Sequence, residues 1–274
     1  MNAPLVPLNS GRSIPQVGLG TWPLTDVEVA PVVVTAIEAG YRHLDTAVKY
    51  GNEIGVGQGI RDSGIARDQL FVTTKLNGAY QGQDKALAGL DDSLKRLGLD
   101  YVDLLLIHWP VPARDLYVST WQTFEKLMAA GKARSIGVSN FKPAHLDRLL
   151  AETDIVPAVN QIELNPYVTR AAQREYNALH GIVTESWSPL GQGNELLREP
   201  LLGFLAEKYD RTPAQVVLRW HLELGLVVIP KSKTPERIRQ NIDLFDFTLE
   251  PADVEAIAAL DQPDAGVDSD VIGH

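Results

Sequence analysis

Eight short runs of β-forming, mostly apolar residues recur along the chain, separated by stretches long enough for helices. The runs are QVGLGT (16–21), YRHLD (41–45), LFVTTK (70–75), VDLLLIH (102–108), ARSIGVS (133–139), PAVNQIE (157–163), IVTESW (182–187) and LVVIPK (226–231). Helical candidates between them include Val27–Glu38, Lys85–Leu97, Trp121–Ala130, Pro143–Leu150, Arg170–His180 and Pro213–Glu223, several opened by a capping Thr or Asp. Strands this apolar need cover on both faces, which a parallel sheet with crossover helices supplies. Eight such units in 274 residues predict an α/β fold, a (β/α)8 TIM barrel filling residues 1–274 as one domain. PLVPLNSGRSIPQ (4–16) has strand–turn–strand character around Ser10–Gly11 and predicts an N-terminal β-hairpin outside the barrel count. An extra C-terminal helix is expected near Asp253–Leu260, followed by a polar tail.

Composition narrows the function classes. Hydrophobic residues make up 45% of the chain and no Ser/Gly/Pro-rich linker interrupts it, so a second domain is not called for. A formal charge of -10 argues against general affinity for nucleic acid or an anionic membrane, which need clustered Lys and Arg. Zero cysteines exclude disulfides, thiolate metal ligands and a cysteine nucleophile. MNAPLVPLNSGRS lacks a signal-type apolar core, and no apolar run reaches membrane length. These features predict a cytoplasmic protein; a small-molecule substrate and a monomer are the partner expectations set beside it.

A TIM barrel builds its site at the C-terminal ends of its strands. Those ends deliver Thr21 and Trp22, Asp45, Lys75, His108, Ser139 and Asn140, Gln161, Trp187, and Lys231 with Ser232. Taken singly, Asp45 could cap a helix and His108 could be a satisfied core histidine. Converging on one rim, a buried Asp and Lys need each other's charge, and Tyr50, five residues past Asp45, reaches the same spot. A cation beside a phenol favours the phenolate, so Lys75 would help Tyr50 give up its proton while Asp45 holds Lys75 charged. His108 could donate to an oxygen on which negative charge develops. The set is a proton donor beside an oxyanion site, suited to carbonyl reduction once hydride is supplied.

GYRHLDTAVKYGNE, LFVTTK, DLLLIHWP, IGVSNF, VNQIELNP and IPKS together resemble the signature segments of the aldo-keto reductases, nearly end to end. ESWSPLGQG, TPAQVVLRWHL and NIDLFDF are most similar to the bacterial 2,5-diketo-D-gluconic acid reductases within that family. The resemblance implies NADP-dependent reduction of aldehydes, ketones or keto-sugars, with Asp45, Tyr50, Lys75 and His108 as the catalytic tetrad and Tyr50 as general acid. It implies NADPH stretched across the barrel mouth: Thr21 and Trp22 beside it, Ser139, Asn140 and Gln161 at the nicotinamide amide, and Trp187 stacked on the ring. Ser188, Leu190, Gly191, Gln192 and Gly193 would follow the pyrophosphate. Lys231, Ser232, Lys233, Arg237, Gln240 and Asn241 would hold the 2'-phosphate end, in a basic island of an acidic chain.

Substrate would be lined by Trp22, Tyr50, Asn77, His108 and Trp109, and Asn77 stands where relatives often carry tryptophan, which widens or wets the pocket. The short tail after Asp264 departs from the longer C-terminal loop of larger eukaryotic relatives, and broad specificity is expected. GVGQGI (55–60) is not a dinucleotide fingerprint, since its glycine spacing is wrong and no strand leads into it; it reads as a close-packed helix. Two other functions would also suit a barrel. A metal-dependent isomerase or hydrolase would need His-x-His or HExxH spacing, which the six histidines lack, so no metal is expected. A non-enzymatic NADPH-binding redox sensor remains the alternative.

Overall fold

The computed structural model describes residues 3–193, 195–262 and 265–273. A hairpin of β1 (Leu5–Pro7) and β2 (Ser13–Pro15) precedes eight strands: β3 (Leu19–Gly20), β4 (His43–Asp45), β5 (Phe71–Leu76), β6 (Val102–Ile107), β7 (Ala133–Ser139), β8 (Val159–Glu163), β9 (Val183–Trp187) and β10 (Val227–Val228). Each pairs in parallel with the next, from β3 through to β10. Helices α1 (Asp26–Glu38), α2 (Glu53–Asp62), α3 (Gln83–Leu97), α4 (Tyr117–Ala129), α5 (Pro143–Glu152) and α6 (Ala171–Leu179) follow β3 to β8 in turn. Both α7 (Pro200–Tyr209) and α8 (Pro213–Glu223) follow β9, and α9 (Pro235–Ile242) and α10 (Pro251–Ala258) follow β10.

The sheet closes on itself where the first strand meets the last. Val17 bridges Val228 in parallel, the Gly18 N–H donates to Val228 O at 2.8 Å, and the Gly20 N–H donates to Pro230 O at 3.1 Å. Glycine is needed there because a β-carbon at Gly20 would stand 2.6 Å from Ile229 O, and one at Gly18 would stand 2.5 Å from the His43 ring. The hairpin has a task beyond preceding the barrel. Its Leu8 and Ile14 pack with Phe71, Leu104, Val159 and Val227, so it plugs the N-terminal end and leaves the opposite end as the mouth. Asn9 Nδ2 donates to Pro157 O at 3.0 Å and Ser10 Oγ meets Ser135 Oγ at 2.8 Å, fixing the plug to that end.

The helices start where their capping chemistry places them. Thr25 with Glu28 and Thr212 with Gln215 form capping boxes at α1 and α8. Proline occupies the first turn of α5, α7, α8, α9 and α10, where its missing N–H costs nothing. Several expected boundaries move: α4 opens at Tyr117, earlier than Trp121, α3 opens at Gln83, earlier than Lys85, and α6 opens at Ala171 because Arg170 is left-handed at φ 49°. The tail beyond α10 is tied down: Lys142 Nζ donates to Asp268 Oδ1 and Asp270 Oδ2, each at 2.6 Å, and the Val267 N–H donates to Glu163 Oε2 at 2.7 Å. Asp264 lies outside the described residues.

GVGQGI is the middle of α2, and its glycines are contact points. A β-carbon would meet Asp26 O at 2.2 Å from Gly55, Leu97 O at 2.1 Å from Gly57 and Ala30 O at 2.6 Å from Gly59. The helix is thus wedged against α1 on one side and the end of α3 on the other. Gly57→Ala should lower stability by about 1–3 kcal/mol through overpacking against backbone that cannot yield. Gly203→Ala, in α7 with nothing within 4 Å of the added carbon, should be neutral or slightly stabilising. Thermal or urea unfolding of the two variants checks both signs.

Candidate active site

Three neighbouring pieces of chain meet at the mouth. β4 ends on Asp45, β5 carries Lys75 near its end, and the single 3-10 turn Val48–Tyr50 folds Tyr50 back over both. Lys75 Nζ donates to Asp45 Oδ1 at 2.5 Å, to Tyr50 Oη at 3.0 Å and to Thr46 O at 3.1 Å. An ammonium has three protons, and each has a partner here. Asp45 and Lys75 are fully buried, whereas the Tyr50 ring is half-buried at the mouth. His108, directly after β6, sets its ring edge-on to Tyr50 with centroids 5.7 Å apart, and Trp109 stacks beyond it at 6.3 Å. The four residues expected to act together therefore do share one site.

The electrostatics differ in one respect from the sequence-based expectation. Burial pulls the Lys75 ammonium down, but Asp45 and Tyr50 more than offset it and the net direction is up, so Lys75 is a permanent cation. Burial pushes the Tyr50 phenol upward, Lys75 pulls it back, and Asp45 pushes again; the net direction is up. The ammonium thus limits a rise rather than producing the net fall that its charge alone predicts. Because Tyr50 is only part-buried, water tempers the burial effect.

Two residues that organise this corner escaped the sequence reading. Asn52 is buried; its Nδ2 donates to Thr21 O at 3.1 Å and Leu24 O at 2.9 Å, and its Oδ1 accepts from Thr46 Oγ1 at 2.7 Å. It ties the loop after β3 to the loop that bears Tyr50. Glu185, buried on β9, shares the amide of Gln161 with Asp45: Gln161 Nε2 donates to Asp45 Oδ2 and to Glu185 Oε2, both at 2.8 Å. The signal for Glu185 was its position two residues before Trp187, which puts both on one face of the strand. Glu53, by contrast, is spent on the fold, accepting from Thr74 Oγ1 at 2.6 Å and Arg96 Nε at 2.7 Å.

The remaining rim residues form a hydrogen-bonded arc. Ser139 Oγ donates to Gln161 O at 2.9 Å, Asn140 Nδ2 donates to His108 O and Ser139 Oγ at 3.0 Å, and Trp187 Nε1 donates to Asn140 Oδ1 at 2.8 Å. The arc fixes the Trp187 indole by its edge, while Asn140 accepts a left-handed backbone at φ 64°. Ser188 and Gln192 are left-handed too, at φ 53° and 52°, and Gln192 Nε2 donates to Ser188 Oγ. This curls Ser188–Gly193, with Leu190, Gly191 and Gly193, into a tight loop beside Trp187. Thr21 is buried beneath the mouth, its Oγ1 donating to Asp45 O at 2.9 Å.

The basic island follows β10, the strand next to the one that carries Trp187. Lys231, Lys233 and Arg237 are exposed, with Ser232 half-buried between the first two. Lys233 Nζ lies 3.5 Å from Glu28 Oε1, and among the described residues Lys231 and Arg237 form no ion pair. Ser232 Oγ accepts the Thr234 N–H at 3.1 Å just before α9, whose first turn carries Arg237. Gln240 reaches Glu236 at 3.5 Å, and Asn241 is buried under the helix. Of the two tryptophans expected at the substrate, Trp22 is 49% exposed and Trp109 half-buried. Asn77 caps the turn Gly78–Tyr80 by accepting the Ala79 N–H at 3.2 Å, so its side chain serves the local backbone. The tail approaches from the other side: a β-carbon on Gly273 would lie 3.3 Å from Trp109 Cβ.

Comparison with known proteins agrees with this geometry. The profile of the Aldo/keto reductase family matches residues 16–262. An aldo-keto reductase of Mycolicibacterium smegmatis is 51% identical over 259 residues, 94% of each chain. The methylglyoxal reductase DkgA of Escherichia coli K12 is 48% identical over 263 residues, 95% of this chain and 94% of the relative. A solved structure of a Gox0644 mutant in complex with NADPH superposes with a TM-score of 0.94 at 44% identity, covering 98% of both chains. A barrel closed by a glycine seam, with Asp45, Tyr50, Lys75 and His108 gathered at its mouth, thus comes from a chain that belongs to the aldo/keto reductase family.

Proposed function

We propose that this oxidoreductase reduces small aldehydes, ketones and keto-sugars with NADPH, and that Tyr50 gives the carbonyl oxygen its proton. The observation that carries the reading is Tyr50 Oη held 3.0 Å from the Lys75 ammonium, itself 2.5 Å from Asp45. Bound at the mouth, NADPH would supply hydride to the carbonyl carbon. The residues present fit it: Trp187 offers a ring fixed through Asn140, and the inward-turned amide of Gln161 leaves its Oε1 as an acceptor. Lys231 and Arg237, which form no ion pair among the described residues, stand ready for a phosphate before and at the start of α9.

As negative charge grows on the carbonyl oxygen, Tyr50 passes its proton to it and the phenolate left behind is stabilised by Lys75. Asp45 keeps Lys75 charged and oriented, and His108, beside Tyr50, can share the developing charge. Trp22, Trp109 and the Tyr50 ring give the substrate apolar walls open at the mouth, without a charged clamp for one functional group, which suits short polar carbonyls over a range of shapes. The methylglyoxal activity named for DkgA is the first to assay, with 2,5-diketo-D-gluconate beside it. A cytoplasmic monomer fits the acidic, cysteine-free chain.

Tyr50→Phe keeps the ring packing but deletes the acid, and kcat with methylglyoxal should fall roughly 10²-fold or more while NADPH affinity holds. Near-normal turnover would refute the role of Tyr50. Lys75→Met should be as inactive and also less stable, by about 3–5 kcal/mol, because Asp45 is left as an uncompensated buried charge. Lys231→Ala combined with Arg237→Ala should weaken NADPH more than NADH. Equal losses for the two cofactors, measured by titration of each, would move the 2'-phosphate elsewhere.

A further inference from the structure

Among the described residues, the barrel interior behind the tetrad holds the Lys75 cation and the carboxyl groups of Asp45 and Glu185. Lys75 is spent on Asp45 Oδ1, Tyr50 and Thr46, so Glu185 receives only the Gln161 amide, on Oε2. Its other oxygen, Oε1, is buried without a hydrogen-bond donor among the described residues; His43 Nε2 stands 3.6 Å from it, and that nitrogen is already engaged with Thr73 Oγ1 at 3.2 Å. A carboxylate in this setting would bear its charge fully buried, half-solvated and next to a second carboxylate joined to it through one amide.

We propose that Glu185 is a positioning residue that keeps a proton inside the barrel at neutral pH, and that this proton sets the charge against which Tyr50 releases its own. The second half rests on the reading of Tyr50 as proton donor; the first stands by itself. The groups facing Glu185 are His43 and Asp45 on β4, Lys75 on β5 and Tyr50 on its turn, while its register partners on β8 and β10, Gln161 and Val227, do not titrate. Burial holds His43 neutral, its value pulled down to about 3, so it adds no second cation. Burial first, then the Asp45 charge, pushes the Glu185 carboxyl up to about 8, with Gln161 and Lys75 opposing. Of the two carboxyls, Asp45 has the ammonium in contact and Glu185 has not, so the proton resides on Glu185.

The sign of the effect on Tyr50 follows. Ionised Glu185 adds a negative charge that raises the phenol further and makes phenolate formation harder, so reduction should slow as pH rises past about 8. The proton also links to stability. Native protein holds it and unfolded protein, with an ordinary value of 4.5, does not, so stability is fully present below 4.5 and is lost progressively as pH rises to about 8.

Glu185→Gln tests this, because it keeps the acceptor for Gln161 and can never ionise. Infrared spectra of the wild type at neutral pH should show a buried carboxylic-acid C=O stretch that titrates away near pH 8 and is missing in the variant. The Tm of the variant should gain on that of the wild type as pH climbs from 5 to 8. In NADPH-dependent methylglyoxal reduction, wild-type kcat should drop roughly threefold or more between pH 7 and 9, and the variant should hold its plateau about one pH unit further. Absence of the acid band together with parallel Tm curves would overturn the buried proton. Coincident kcat profiles, with the band present and Tyr50→Phe inactive, would overturn its influence on Tyr50. Should Tyr50→Phe prove active, the reading of the donor fails, while the infrared and Tm results still decide the proton.

Discussion

The ion pair between Lys75 and Asp45 is the constraint around which the mouth is built. Two charges withdrawn from water cost several kcal/mol each unless their hydrogen-bonding capacity is filled. The chain fills it from four directions: Thr46 O and Tyr50 Oη for the ammonium, and Lys75 and Gln161 for the two carboxylate oxygens. The satisfying groups come from the loop after β4, which carries both Thr46 and Tyr50, from β5 and from β8, so the pair is tolerated only if those pieces are all in place. The site therefore acts as a check on the assembly of the barrel as well as a place for chemistry.

That interdependence explains what the sequence revealed and what it concealed. Asp45, Lys75, His108, Ser139 and Trp187 were legible because each is a polar or aromatic residue ending an apolar run, and the barrel fold assigns such ends to one rim. Tyr50 was legible by spacing alone. The Lys75 effect on Tyr50 was read with the right sign but too generously, since burial depth cannot be seen in a string of letters. Glu185 and Asn52 were hidden for a related reason: each looks like an ordinary polar residue until register brings Gln161, Thr21 and Thr46 to it. The plug role of the hairpin was also illegible, because Leu8 and Ile14 find partners that lie at the far ends of distant strands.

The arc from Ser139 through Asn140 to Trp187 shows how rim precision is achieved in a chain without cysteine. Left-handed backbone at Asn140, Ser188 and Gln192 is uncommon for non-glycine residues, and at each place hydrogen bonds hold the conformation. The cost is modest at each position and is offset by a large fixed scaffold. The tail is held differently, in part by exposed ion pairs of Lys142 with Asp268 and Asp270, which weaken with salt. The mouth thus has one wall fixed by buried polar bonds and another fastened by screened charges.

The glycine seam between β3 and β10 carries a consequence for time rather than for shape. Residues 16–20 hydrogen-bond to residues 228–230, so the barrel cannot shut until nearly the whole chain is available. During synthesis the N-terminal strand must wait, its hairpin without the Val227 wall and the β3 edge unpaired. Contacts so distant in sequence delay folding, and an apolar strand edge left open in the meantime invites association with other chains. A ribosome pausing before codon 226 would prolong that exposure; release of β10 ends it in a single step, joining the two edges that remained.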